Sequence, residues 1–196
     1  MLTGRMNRYK HVHWVYAFRF LKAAFHLQAG TAADHHALEN LRKIAMIANE
    51  REEKAIFVMA TLLEGLAHLS SMKDDWVTRV QSCLAQASKL QLDDSVHLPQ
   101  LDVLLLSLDV GCGLRQKSQH QITHQKLNTL LNKLEDLKQS PAWASYSGEV
   151  LLPIRRSMNT QPTISNDTRA ILRPGDGSVD YLVLMGSGKQ ESYALA

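Results

Sequence analysis

Residues 34–92 read DHHALENLRKIAMIANEREEKAIFVMATLLEGLAHLSSMKDDWVTRVQSCLAQASKLQL, and this stretch decides the fold. In its middle third Ala55, Val58, Met59, Leu62, Leu63, Leu66 and Leu69 recur at steps of three and four, with Phe57 partly on the same face. That spacing puts them on one stripe of an α-helix, and so apolar a stripe must be buried against neighbours. Leu38, Leu41, Ile44, Ala45 and Ala48 repeat the pattern before it, and Trp76, Val80, Cys83, Leu84, Ala87 and Leu90 after it. Only the charged knuckle at 49–54 and the polar turn at 70–75 separate the three segments. Short connections make neighbouring helices antiparallel, so the stretch predicts stacked helical hairpins.

Working outward, a first helix is expected over 8–28, stopped by Gly30, with Trp14, Val15, Phe18, Leu21, Phe25 and Ala29 as its buried stripe. Ala17, Ala23 and Ala24 would let a neighbour approach closely. Thr31 or Asp34 is placed to cap the second helix, and Asp74 or Asp75 the fourth. Pro99 suits the first turn of a fifth helix carrying Leu101, Leu104, Leu105, Leu108, Val110 and Leu114, whose last third Gly111 and Gly113 weaken. A sixth helix over 119–139 ends at Ser140-Pro141. Alternate helices begin about 45 residues apart, within the range of paired-helix repeats.

The expected fold is therefore all-α: antiparallel helical hairpins stacked as a tetratricopeptide-like (TPR-like) α-solenoid over 8–140. An irregular segment follows over 141–190. In it Val150 to Ile154 form an extended apolar run, and Gly175-Asp176-Gly177 reads as the turn of a short hairpin. Residues 191–196 read as the start of a truncated helix. A solenoid needs a polar capping repeat, and none is apparent, so a fragment of a longer array is expected.

Composition narrows the function. The chain has 196 residues and a net charge of +3 with scattered Lys and Arg, which does not point to a nucleic-acid reader. Two cysteines, Cys83 and Cys112, lie on apolar stripes and read as buried free thiols of a reducing compartment. No run spans a bilayer and no secretory leader is read, so a soluble intracellular protein is expected without a membrane partner. No phosphate loop, nucleophile elbow or paired cysteine ligands occur, and neither an enzyme nor a cofactor is expected.

Nine histidines invite a metal reading. His120 and His124, four apart, would share a helix face, but no acid lies between them and no third ligand is in register, so solvated histidines are preferred and no metal is expected. Glu64 and His68, four apart on the third helix, lack a third partner for acid–base work. A solvated polar face is the default reading for them; as candidate site residues they line the inner surface of a superhelix and meet a peptide, and the same holds for Asp109 and Arg115 on the fifth helix.

Several segments taken together carry a family resemblance. Ala55-Ile56-Phe57-Val58 leads into Leu63-Glu64-Gly65-Leu66-Ala67-His68-Leu69. Then come Pro99-Gln100-Leu101, Leu108-Asp109-Val110-Gly111-Cys112 and Arg115. Lys126-Leu127, Trp143, Pro153-Ile154 and Asp167-Thr168-Arg169-Ala170-Ile171-Leu172 ahead of Gly175 follow in order. In order and spacing the chain resembles the fungal cohesin loading factor over most of its length after Tyr9. The resemblance implies a helical superhelix that wraps an extended segment of the large HEAT-repeat subunit of the cohesin loader. It further implies a nuclear scaffold without a catalytic site, acting on cohesin indirectly and on chromatin through the complex in sister-chromatid cohesion. Two alternatives remain: a TPR-like adaptor for another protein, and a helical metal protein using His120 and His124.

Overall fold

The computed structural model describes residues 11–29, 35–90, 93, 96, 98–116, 120–139, 148–156 and 168–185. Among these residues six helices come first: α1 (Val12–Gln28), α2 (His35–Glu50), α3 (Lys54–Ser71), α4 (Trp76–Ser88), α5 (Pro99–Arg115) and α6 (His120–Gln139). Three strands follow: β1 (Glu149–Arg155), β2 (Leu172–Pro174) and β3 (Val179–Met185). Each helix packs on its successor, and α3 also reaches past α4 to α5, as in a solenoid of helical hairpins. The segment 191–196, the turn at Trp143, the caps assigned to Thr31 and Asp34, and the stops at Gly30 and Ser140-Pro141 lie outside the described residues. Among the described residues no helix is long and apolar enough to cross a membrane.

The array is centred on α3. Its apolar character extends nearly all round, from Ala55, Ile56, Val58 and Met59 to Leu62, Ala67 and Leu69, and all of these are buried. A helix apolar on every side must be enclosed, and α2, α4, α5 and β1 enclose this one. Gly65 sets the closeness of the crossing. A methyl group there would stand 2.6 Å from Leu108 Cδ2 on α5 and 3.2 Å from Cys83 Cβ on α4. Both cysteines are buried and free, and burial, helped by the Glu64 charge, pushes the Cys83 thiol up to about 12. α5 starts on Pro99 as expected and runs unbroken through both glycines to Arg115.

Two local expectations are corrected. Asp75 is the N-cap of α4 but makes no side-chain cap hydrogen bond. Its backbone is left-handed (φ 61°), whereas a capping carboxylate needs the extended conformation to reach the following N–H groups. The second correction concerns α1, whose buried face is Val12, Tyr16, Phe20 and Ala23. Of the anticipated stripe, Trp14 and Val15 are partly buried, while Phe18, Leu21 and Phe25 face outward at 64%, 67% and 67% exposure. The helix carries two apolar faces, and the array uses the other one.

The extended run and the hairpin expected near the C-terminus both form, and they join into one antiparallel sheet of order β1-β3-β2. β1 pairs with β3 along its whole length, which brings Leu152, Leu182 and Leu172 into one cross-strand row. All three are buried, and they share a core with α1 to α5. Alternation along β1 buries Val150, Leu152 and Ile154 on the inward face. In that register Asp180 stands opposite Ile154, so a carboxylate falls on the inward face and is only 4% exposed.

Candidate partner-binding site

Two groups of polar side chains stand out, one binding the sheet to the helices and one along the α2–α3 surface. The first is built on Glu53, in the turn before α3. Its side chain is 1% exposed. It accepts hydrogen bonds from Tyr16 Oη of α1 (2.5 Å), from Arg51 Nε and Nη2 (3.1 and 3.2 Å) and from the backbone N–H of Arg155 on β1 (3.3 Å). One carboxylate thus joins α1, the α2–α3 turn and the sheet. Burial, reinforced by the Glu53 charge, holds the Tyr16 phenol protonated as a donor.

Beside it, Asp180 takes a bidentate grip from Arg156 (2.5 and 3.2 Å), whose guanidinium also donates to the carbonyls of Gly175 and Gly177. Burial works to raise the Asp180 pKa, but the Arg156 hydrogen bonds and charge outweigh it and hold the carboxyl below its ordinary value. His13 of α1 lies near both carboxylates, and its Nε2 is buried without a partner among the described residues. Burial lowers its pKa against the opposing pull of Asp180 and Glu53.

A histidine held neutral by burial gives the unfolded state the larger proton uptake. Its folded pKa lies below 6.5, so it imposes no penalty well above that value and a growing one as the pH falls through it. Urea unfolding should therefore show lower stability at about pH 5.5 than at about pH 8, and His13→Gln should flatten that slope. The depressed Asp180 acts in a separate, more acidic window. Its contribution is complete above the ordinary value of 3.8 and is lost as the pH falls below it.

The second group contains two of the four residues anticipated as partner contacts, Glu64 and His68. Arg42 Nε on α2 donates to Glu64 Oε1 on α3 at 2.7 Å, and His68 Nε2 stands 3.6 Å from the same oxygen. Burial raises the Glu64 pKa, but the His68 and Arg42 hydrogen bonds and charges prevail and lower it. His68 is 6% exposed, so it acts behind Glu64 rather than on an open polar face. Arg42 is half exposed and continues outward along α2 to an open cleft of about 210 Å³ lined by His35, Leu38, Glu39, Arg42, Lys43 and Met46.

Asp109 and Arg115 lie apart from this pair. Asp109 of α5 is bound by Lys126 of α6 at 2.7 Å, and Arg115 points its guanidinium at Met72 Sδ. Of the four residues, only Glu64 and His68 come together; Asp109 and Arg115 each meet a different element.

Metal-ligating chemistry is thin. His120 and His124 are both exposed, and His124 Nδ1 contacts the Asn128 side-chain amide. His35, His36 and Glu39 bring donor atoms within 4.8 Å of one another. However, Lys43 holds Glu39 at 2.5 Å, and the first turn of α2 carries the positive end of the helix dipole. Both features oppose a cation.

A family model described as Cohesin loading factor matches residues 2–196. The chain belongs to the cohesin loading factor family. The solenoid of α1–α6 fits that membership, and the family is one of scaffold proteins rather than catalysts. Neither the search of curated proteins nor that of solved structures returned a match. Sequence reading placed Glu64 and His68 on one helix face but singled out neither Glu53 nor Asp180. Glu53 sits in a run of charges that reads as a solvated knuckle, and nothing local separates it from Glu50 or Glu52. The strand alternation through Asp180 did carry a signal, since Leu182 and Leu184, two and four positions on, are apolar.

Proposed function

We propose that this chain is a scaffold subunit of the cohesin loader that binds the large HEAT-repeat subunit. Through that subunit it supports loading of cohesin onto chromatin for sister-chromatid cohesion, in the nucleus. Membership of the cohesin loading factor family carries the reading. The α2–α3 surface supports it physically, with the Arg42–Glu64 pair beside an open cleft, where an extended partner segment adds many modest contacts. Glu64 with His68 behind it, and Asp109 with Arg115 on α5, are the proposed contact residues.

The test is co-purification of the chain with the N-terminal segment of the large loader subunit, read by size exclusion and light scattering. A one-to-one complex is expected. Glu64→Arg should weaken it about tenfold, because it sets two cations against each other at Arg42 and reverses the charge offered to the partner. A chain that forms no complex, alone or with flanking repeats added, would overturn the loader reading in favour of an adaptor for another protein.

A further inference from the structure

The three most exposed large apolar side chains among the described residues lie on the outward face of α1. Trp14, Phe18, Leu21 and Phe25 follow one another at steps of four, three and four, which is the seam spacing of a helix that pairs with another helix. Phe18, Leu21 and Phe25 are each about two-thirds exposed, and the ring of the half-buried Trp14 stands 5.9 Å from that of Phe18. The buried face of the same helix is already satisfied by the core through Val12, Tyr16, Phe20 and Ala23. Among the described residues nothing covers the seam.

The two edges of the seam say what fits it. On one side Ala17 and Ala24, seven apart, leave room for close approach of a backbone. On the other stands Lys22, exposed, at the flanking position where paired helices place their charges. α1 contains no aspartate or glutamate, and its other basic groups are Arg19 and two histidines. A second copy of this helix would set lysine against lysine or alanine and gain no charge pair.

We infer that the outward face of α1 docks an amphipathic helix of a partner protein with a matching apolar seam and an acidic flank. This occupant follows from the spacing and charge of α1 alone. It needs no assumption about the cohesin loader, and its failure would leave that reading standing.

The probe is a fluorescein-labelled synthetic helix of about three heptads with leucines along the seam and glutamates beside it, and a counterpart with lysines in place of the glutamates. Anisotropy with the whole chain should show the glutamate helix binding at least about tenfold tighter, with the difference shrinking as salt is raised. Phe18→Ser with Phe25→Ser should abolish binding while leaving the circular dichroism melt unchanged, since both rings are outside the core. Lys22→Glu should reverse the preference between the two peptides.

Equal binding of both peptides, or binding that survives the double serine variant, would overturn the inference. So would a dimer of the chain broken by Phe25→Ser, which would make a second copy the occupant. Binding to phosphatidylserine vesicles lost on Phe18→Ser would assign the face to a membrane surface instead.

Discussion

Glu53→Ala should lower the unfolding free energy by about 3–5 kcal/mol, the usual cost of removing one member of a buried charged network. The change leaves the Tyr16 hydroxyl and the Arg155 N–H without their acceptor and the Arg51 guanidinium without its counter-charge. Tyr16 is fully withdrawn from water and the Arg51 side chain largely so, and their desolvation is then no longer offset. Glu53→Gln keeps the shape and an acceptor oxygen and should cost less. Tyr16→Phe removes one hydrogen bond to a charged acceptor and should cost about 1.5–3 kcal/mol. Urea unfolding followed by circular dichroism measures all three, and a Tyr16–Glu53 double-mutant cycle isolates the coupling. A loss under about 1 kcal/mol for Glu53→Ala would mean that the carboxylate is solvated and the hub does not hold.

Leu182→Ala tests the sheet in the same way and should cost about 2–5 kcal/mol. Leu182 is the centre of the Leu152–Leu182–Leu172 row and is fully buried. Its loss opens a cavity where β3, β1 and β2 meet beneath the helices, and flanking strands held in register cannot collapse to fill it. Because this row shares a core with α1 to α5, the transition should remain single, and helical and strand signals should be lost together. Two separated transitions, with the helices melting at their original midpoint, would show the strands to be a separate folding unit.

The helices from α2 to α6 were legible because their evidence is local. Three- and four-residue steps, Pro99 at a first turn and the short polar connections each act within a few positions, and they mark helices wherever the chain goes next. The hairpin signal at Gly175-Asp176-Gly177 is of the same kind. Gly177, at φ +64°, occupies a conformation that side chains disfavour. For the anticipated contact residues the sequence set placement on a helix and no more. Glu64 and His68, four apart, had to share a helix face, but whether that face is open depends on what α2 and α4 bring to it.

Sequence alone thus determined that this protein would be a helical array with a small extended element near its end. Three features were left to the tertiary structure. It chose between the two apolar faces of α1, burying Tyr16 and Phe20 rather than Phe18 and Phe25. It paired β1 with β3, and it turned Glu53 and Asp180 inward to meet Tyr16, Arg155 and Arg156. The physical reason is range. Tyr16 and Glu53 lie 37 residues apart and Glu53 and Arg155 lie 102 apart. A periodicity read over a dozen residues names the faces available to a helix, and only the distant groups that arrive there decide which face is buried.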